Sequence, residues 1–249
     1  MHIPSPHSLL WVTPNSRVLS QPLEMRIMRQ DLDSKKIEDM MMKGTTTVGI
    51  VCKDGVVFAT DTRVTAGVYV AHRQGKKVYQ IERHLGMTIA GVVADAQTIV
   101  EVLRANAHLF QLENGRPMPV SAASRLTANM LFSSRGFPLI VQALIGGVDE
   151  TGSHLYSIDP LGSVNEESCI ATGSGSPVAY GVLESQCNDG IIVKDAIIVA
   201  AQAVYSAMKR NAFTGDNFDV VVIDESGYRE LTDDETRSIE AAGVRVQQI

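Results

Sequence analysis

The sequence predicts an α+β fold, a four-layer αββα sandwich with two antiparallel sheets in the centre and a pair of helices on each outer face. The main observation is the order of the elements: strands, two helices, strands, two helices and strands again. Short turns join neighbouring strands, which favours antiparallel pairing, and a pair of helices can cover one face of each sheet. A chain of 249 residues is long enough for one such layered domain.

The first block of strands contains two predicted pairs. TTVGIVC at 46–52 is rich in β-branched residues, KDG at 53–55 is a tight turn, and VVFAT at 56–60 is the returning strand. An Asp-Gly turn between two such runs is typical of a β-hairpin. Residues 76–81 and 86–93 form the second predicted pair.

Two helices are predicted next. We expect Asp95 to cap the first, which continues to about residue 113 and ends at Gly115. Its apolar stripe consists of Ile99, Val102, Leu103, Leu109 and Phe110. The second helix follows Pro119 and is capped by Ser121. Its apolar stripe consists of Leu126, Met130 and Leu131.

The second half of the chain repeats this order. Strands are predicted at 138–145, 154–158 and 168–172. Ser176, followed by Pro177, is expected to cap a helix that continues to about residue 187. Another helix covers 193–210, and a last hairpin pairs 218–223 with 228–231.

Composition and charge exclude several classes of protein. The net charge of −6 argues against a nucleic-acid binder, because phosphate contacts need a basic surface. No apolar stretch approaches the roughly 18–20 residues that span a bilayer. The apolar cluster LLWV at 9–12 is shorter than the core of a signal peptide, which has about 7–15 residues. We therefore expect a cytoplasmic protein without nucleic-acid or membrane partners.

Residues 1–44 differ in composition from the rest of the chain. They contain four of the nine Pro, six of the ten Met and the single Trp, but no Gly before Gly44. Their net charge is +1, whereas residues 45–249 carry −7. We interpret 1–44 as a loosely ordered leader, with a weak helix at 24–42, and 45–249 as the folded domain. A later Met, such as Met25, could also begin a shorter chain.

Neither a metal nor a cofactor is expected. Cys52, Cys169 and Cys187 are too few and too widely spaced for a disulfide framework, so we expect reduced thiols. The six His form no ligand pair at metal-binding spacing. GSGS at 173–176 lacks the lysine and the spacing of a phosphate-binding loop, and the start of a helix explains it sufficiently.

The boundary between leader and domain carries a candidate nucleophile. If the bond between Gly44 and Thr45 is cut, Thr45 gains a free α-amine beside its hydroxyl. An α-amine has a pKa of about 7.7–8, so it can act near pH 7 as the general base for the hydroxyl of its own residue. The alternative is purely structural, because three consecutive threonines are also a good start for a strand.

Several short motifs follow one another along the domain. They are GTTTVGI at 44–50, ATDTR at 59–63, GKKVYQI at 75–81, MTIAG at 87–91, GGVD at 146–149, YSIDP at 156–160 and TGSGSP at 172–177. Their order and spacing closely resemble those of proteasome β subunits of the archaeal type, in the N-terminal nucleophile hydrolase superfamily. The resemblance covers most of the chain, from about Gly44 to Leu231.

The resemblance implies a threonine endopeptidase in which Thr45 is the nucleophile, released when the chain cleaves itself after Gly44. Asp61 and Lys77 match the family's buried acid and base, and Gly91 matches the residue whose N–H stabilises the oxyanion. From the residues alone, Asp61 and Lys77 are better interpreted as a plain surface ion pair. Gly91 could equally be a glycine chosen for close packing at a strand end.

One stretch departs from the family pattern. The family usually carries Arg-Asp-x-x-Ser-Gly-Gly where this chain has RNAFTGD at 210–216. Asn211 therefore replaces an acidic residue of the site, and Thr214 replaces a serine. An amide keeps an acceptor but loses the charge and can also donate, so a network built for a carboxylate could be miswired. The resemblance also implies that Ser174 is a hydroxyl of the catalytic site, hydrogen-bonded near the Thr45 amine.

The resemblance also implies a specificity pocket for the residue before the cut. Val64, Ile89, Val93 and Gln97 would line it; three of them are apolar and none is charged, so we expect a preference for hydrophobic residues. Arg63 is expected to support the site.

The implied partners are other proteasome β subunits in a seven-membered ring, α subunits in stacked rings and a regulatory ATPase, with unfolded polypeptides as substrates. Two alternatives stay open: a structural β-type ring subunit that lost activity through Asn211, and another amidohydrolase of the superfamily acting on small amides. A third alternative is an α/β domain with a different function, but this alternative leaves the motifs unexplained.

Overall fold

Two five-stranded antiparallel sheets form the centre of the structure, a computed structural model that describes residues 44–239. The prediction of mixed α and β structure with antiparallel sheets is confirmed. Most of the predicted leader, including the helix expected at 24–42, lies outside the described residues.

The first sheet contains the strands that flank Thr45. In order across the sheet they are β10 (Cys169–Gly173), β1 (Thr46–Cys52), β2 (Gly55–Asp61), β11 (Phe218–Asp224) and β12 (Gly227–Glu230). β1 and β2 form the predicted hairpin, with Cys52 opposite Gly55 at the turn. The predicted hairpin of β11 and β12 is also present.

The second sheet pairs neighbouring strands in sequence order. They are β5 (Val78–Glu82), β6 (Leu85–Gly91), β7 (Val141–Asp149), β8 (Gly152–Ile158) and β9 (Val164–Glu166). A separate two-stranded sheet consists of β3 (Val64–Ala66) and β4 (Tyr69–His72). The sequence did not predict β3, β4 or β9, because three or four residues are too few to show an alternating pattern.

Pairs of helices pack on the sheets. α1 (Val93–Asn114) and α2 (Val120–Ser133) contact the second sheet, whereas α3 (Ser176–Gln186) and α4 (Val193–Arg210) contact the first. A short helix, α5 (Asp233–Ile239), was not predicted. Apolar clusters fill the spaces between helices and sheets, and Phe58, Leu144 and Leu155 lie fully buried between the two sheets. Burial of each such side chain stabilises the fold by about 1.5–3 kcal/mol.

The start of α1 corrects one prediction. The helix begins at Val93 without a side-chain cap. Asp95 lies within the first turn and accepts a hydrogen bond from the backbone N–H of Ile140 at 3.0 Å. Val102 and Leu109, expected in the buried stripe, are 40% and 50% exposed. The buried face consists of Ala96, Ile99, Val100, Leu103 and Ala107.

Two further caps differ from the prediction. Ser121 lies inside α2 and caps nothing; the carboxylate of Asp149 in β7 instead accepts the N–H of Val120 at 3.0 Å. In α3 the residue before the helix is Gly175, so Ser176 is the first helical residue. In α2 a carboxylate from a neighbouring strand replaces the expected local cap, and the sequence did not reveal this tertiary contact.

The cysteines also require a correction. Cys169 in β10 and Cys187 at the end of α3 form a disulfide, with Cα atoms 6.7 Å apart. The prediction of reduced thiols is therefore wrong for this pair, because residues 18 positions apart in sequence are brought together by the packing of α3 on β10. Cys52 is free and buried, and burial raises the pKa of its thiol to about 12.

Candidate active site

Thr45 lies at a strained point of the backbone, immediately before β1. It is 7% exposed and has a φ of 101°, while Gly44 before it has a φ of 75°. Glycine adopts positive φ readily, but a β-branched residue in this region is an outlier and costs about 1–3 kcal/mol. The backbone torsion of Thr45 that directly follows the Gly44–Thr45 peptide bond is therefore held in an unfavourable conformation.

Asp61, the last residue of β2, organises one side of Thr45. Its carboxylate is fully buried and accepts four hydrogen bonds. Oδ1 accepts the N–H of Thr46 at 2.8 Å and the ammonium of Lys77 at 2.7 Å. Oδ2 accepts the N–H of Gly215 at 3.0 Å and that of Arg63 at 3.3 Å. A carboxylate bonded in this way has a fixed position and a compensated charge.

Lys77 precedes β5 and is 4% exposed, so the surface ion pair considered from the residues alone is instead a buried pair. Burial lowers the pKa of the Lys77 ammonium below its ordinary value, although Asp61 opposes this effect. A buried lysine with a lowered pKa exchanges its proton more readily than a surface lysine, which suits proton transfer at a reacting group.

Neutral hydrogen bonds organise the other side of Thr45. The Ser174 hydroxyl, just after β10, lies 3.2 Å from Oδ1 of Asn211 and 3.5 Å from the carbonyl oxygen of Thr45, and can donate to either. Asn211 ends α4, and its Nδ2 donates to the carbonyl of Ser174 at 2.8 Å. These contacts connect the end of a helix to the Thr45 backbone.

Asn211 is bonded at both ends of its amide. Its Oδ1 also accepts the N–H of Phe213 at 2.9 Å and the Thr214 hydroxyl at 3.4 Å. The Thr214 hydroxyl in turn lies 2.8 Å from that of Thr46. A carboxylate at position 211 could not donate to the Ser174 carbonyl. The N–H of the amide, which an acid lacks, therefore has a hydrogen-bond partner in this site.

Gly91 ends β6 and borders the same cavity as Thr45. Its φ is 133°, and a Cβ there would collide with the backbone carbonyl of Ile140. The same carbonyl accepts the N–H of Val92 at 2.8 Å. Close packing therefore explains the glycine, and its role towards an oxyanion stays a prediction.

The cavity beside Thr45 brings together most of the predicted pocket. Val64, Ile89 and Val93 line it, whereas Gln97 is exposed on α1 and is not among the lining residues. Thr65 lines it as well, a residue that the sequence analysis did not include.

Cations also reach this cavity. Arg63, Lys76 and Lys77 all contribute to its lining. Arg63 donates through Nε to Asp216 at 2.8 Å and through Nη1 to the carbonyl of Ala212 at 2.9 Å, which holds the loop that contains Gly215. The hydrogen bond from Arg63 lowers the pKa of Asp216 below its usual range. Arg63 thus supports the site indirectly, by fixing a loop that bonds to Asp61.

Two further features are absent from residues 44–239. No group of three or more His, Cys, Asp and Glu side chains there is arranged to hold a metal ion. None of the helices in that part of the chain combines the length and the apolar character that crossing a membrane requires.

Comparison with known proteins agrees with the motifs. The family description "Proteasome subunit" matches residues 41–223. The proteasome subunit beta of Methanothermobacter thermautotrophicus is 48% identical over 195 residues, which cover 78% of this chain and 93% of that protein. The proteasome subunit beta of Ferroglobus placidus is 49% identical over 204 residues, covering 82% and 97%. That of Archaeoglobus fulgidus is 47% identical over 204 residues, covering 82% and 96%.

Proposed function

We propose a function from one premise, that this chain belongs to the proteasome family and is a β-type subunit of it. The proposed function is that of a threonine endopeptidase, the catalytic subunit of a core particle that cuts unfolded polypeptides into short peptides. One observation carries it: Thr45 is buried beside the Asp61–Lys77 ion pair, on a cavity, at a strained junction with Gly44.

Activation is proposed to begin with self-cleavage. The Thr45 hydroxyl oxygen attacks the carbonyl carbon of Gly44, an ester forms, the C–N bond breaks, and the hydroxyl proton ends on the released amine. Water then hydrolyses the ester, which gives a carboxylic acid at Gly44 and a free amine at Thr45. The strained φ of Thr45 supports this step, because that torsion is no longer constrained once the C–N bond is broken.

Peptide hydrolysis is proposed to use the groups that self-cleavage exposes. The Thr45 amine, with a pKa of about 7.7–8 before any perturbation, accepts the proton of its own hydroxyl. Lys77, held by Asp61, stabilises the developing alkoxide. The N–H of Gly91 is proposed to bind the oxyanion, a contact typically worth about 3–4 kcal/mol of barrier. The acyl ester on Thr45 is then hydrolysed by water.

Specificity is proposed to favour hydrophobic residues before the cut, because Val64, Ile89 and Val93 line the cavity. Lys76 and Arg63 at the same cavity further disfavour basic residues there. Fluorogenic peptides that differ only in Leu, Arg or Glu at this position test the proposal. We expect kcat/KM to be highest for Leu; faster cleavage after Arg would contradict the pocket.

Membership of the family implies assembly with other proteasome subunits. We propose further that the two sheets and their helix pairs form the predicted αββα sandwich, that seven copies form a β ring stacked on α rings, and that a regulatory ATPase delivers substrate in the cytoplasm. Confinement of this kind suits a peptidase that accepts many unfolded chains. Contacts between the two sheets and between each sheet and its helix pair support the layered arrangement.

The experiment that tests the proposal compares the full-length chain, assembled with its partner subunits, with its Thr45→Ala variant. Intact mass reports removal of residues 1–44, and a Leu peptide reports turnover. We expect the natural chain to lose the leader and hydrolyse the peptide, and Thr45→Ala to do neither. Thr127→Ala, which changes another buried threonine, is the matched control and should behave as the natural chain does. Turnover by Thr45→Ala would refute the proposal.

A second candidate function is that of an inactive ring subunit. One observation favours it: Asn211 stands where the family usually has an acid. The hydrogen bonds made by both Oδ1 and Nδ2 of Asn211 favour the active enzyme. An epoxyketone probe distinguishes the two, because it reacts with a free amine and hydroxyl on one residue. Modification of Thr45 supports the enzyme, and assembled rings that do not react with the probe support the structural subunit.

A further inference from the structure

Thr65, in β3, occupies the space beside Gly44 that a side chain would need. A Cβ at Gly44 would lie 2.6 Å from the hydroxyl oxygen of Thr65, well inside van der Waals contact, and 3.9 Å from its Cβ. The pairing of β3 with β4 is irregular between Val64 and Thr65. Such irregularities commonly redirect a side chain next to an active site.

The Thr65 hydroxyl has no hydrogen-bonding role in holding the described fold together. Its oxygen is buried and finds no hydrogen-bond partner within residues 44–239. Buried hydroxyls are nearly always bonded, so an unbonded one calls for an explanation. Thr65 lines the cavity together with Gly44 and Thr45, so departure of the leader changes its surroundings directly.

Gly44 is therefore constrained in two independent ways. Its φ of 75° disfavours any residue with a Cβ, whatever the neighbouring side chains are. The Thr65 hydroxyl adds a steric constraint that mutation can remove while the backbone conformation stays the same. This separation allows the contribution of Thr65 to be measured.

We propose that Thr65 makes self-cleavage selective for glycine at position 44. The inference rests on the proposed function, since it concerns the step in which Thr45 attacks the Gly44 carbonyl. With glycine, no side chain meets the hydroxyl of Thr65 and the junction keeps its strained conformation. With a larger residue, the Cβ pushes the junction away from Thr65 and displaces the carbonyl from the Thr45 nucleophile.

A double-variant series on the full-length assembled protein tests this. Leader removal is followed over time by intact mass. We expect Gly44→Ala to slow removal by about 100-fold, because the left-handed backbone and the crowded Cβ both oppose it. Adding Thr65→Ala should recover about tenfold of this loss by removing the crowding. Adding Thr65→Val should recover little, because a methyl group replaces the hydroxyl in the same place.

Thr60→Ala is the matched control. Thr60 also has a buried hydroxyl without a partner among the described residues, but it lies in β2 and does not contact Gly44. In the Gly44→Ala background it should recover nothing. Equal recovery by Thr60→Ala or Thr65→Val, or none by Thr65→Ala, would overturn the inference. Thr65→Gly, which likewise removes the hydroxyl, repeats the test if Thr65→Ala fails to assemble, and we expect a similar recovery.

The same data separate this inference from the proposed function. If the natural chain never loses its leader, both fail. If the natural chain is processed and hydrolyses peptides while Thr65→Ala gives no recovery, the selectivity of Thr65 alone is wrong.

Discussion

The two sides of Thr45 are built on different physical principles. On one side a buried ion pair, Asp61 with Lys77, is surrounded by backbone N–H groups. On the other side Ser174, Asn211 and Thr214 form a network of neutral hydrogen bonds. We call these the charged side and the neutral side. Both residues of the ion pair match the motifs on which the resemblance rests. Of the departures from the pattern, Asn211 and Thr214 fall on the neutral side, whereas Asp216, in place of a glycine, pairs with Arg63 next to the charged side.

This difference indicates where the site tolerates change. A buried charge that loses its partner keeps its desolvation penalty, which is several kcal/mol. A neutral hydrogen bond contributes about 0.5–1.5 kcal/mol, and a substituted side chain can often find an equivalent partner. Asn211 illustrates the second case, because its amide bonds to both Ser174 and Phe213. We therefore expect substitutions on the charged side to have the larger effects.

The largest effect is expected from Asp61→Asn. The variant leaves the Lys77 ammonium buried without a counter-charge, so we expect the free energy of unfolding to fall by about 3–5 kcal/mol. Peptide turnover should be lost as well. Urea unfolding followed by circular dichroism measures the first effect, and hydrolysis of a Leu peptide measures the second.

Asp61→Asn combined with Lys77→Met is the control for this prediction. It removes both charges, so most of the lost stability should return while turnover stays absent. If the single variant is as stable as the natural chain, the charged side does not depend on its ion pair.

Asn211→Ala is expected to have a smaller effect. It removes the acceptor for the N–H of Phe213 and the donor to the carbonyl of Ser174, and water can reach part of this region. We expect a loss of about 1–2 kcal/mol in the free energy of unfolding and a partial loss of turnover. Asn211→Asp keeps the acceptors and loses the donor, so it should fall between Asn211→Ala and the natural chain. If Asn211→Ala were more destabilising than Asp61→Asn, the ranking of the two sides would be reversed.

The charged side should also give stability a pH dependence. Burial lowers the pKa of Lys77 from its ordinary value of 10.5, so between the lowered pKa and 10.5 the unfolded chain binds more protons than the folded one. Stability therefore rises with pH in this window and is lost as pH falls through the folded pKa. The slope cannot exceed about 1.4 kcal/mol per pH unit for one proton.

Urea unfolding at a series of alkaline pH values measures this slope. The reference is the double variant of Asp61→Asn and Lys77→Met, in which the pair is absent. The difference in unfolding free energy between the natural chain and this reference should increase in favour of the natural chain as pH rises. A flat difference would show that the pKa of Lys77 is the same in the folded and unfolded chains.

The sequence predicted the long elements and the members of the site better than it predicted their contacts. Strands 46–52 and 218–223 and the helix at 193–210 were predicted from local pattern, since each has enough residues to show a period. Asp95 and Ser121 were given the wrong roles because whether a side chain caps a helix depends on tertiary neighbours, here Ile140 and Asp149. Cys169 and Cys187 were misread for the same reason.

The site shows the same limit. Motifs placed Asp61, Lys77 and Ser174 in one site, but the sequence could not show that the ion pair is buried or that Asn211 uses both ends of its amide. Asp216 was missed because its contact with Arg63 joins residues 153 positions apart. Arg63 itself was predicted to support the site, because it lies two residues after Asp61.

The smallest effect is expected from Glu230→Gln. This variant removes a charge near the cavity that is exposed to water, so it tests the effect of charge without that of burial. Glu230 pairs with Lys76, the neighbour of Lys77 in sequence, but the two side chains are about half exposed, at 50% and 54%. An exposed ion pair contributes about 0–1 kcal/mol, because water already solvates both groups. Glu230→Gln should therefore leave the urea midpoint and Leu-peptide turnover close to those of the natural chain. A loss comparable to that of Asp61→Asn would mean that charge near the cavity, rather than burial of the charge, sets the energetics of the site.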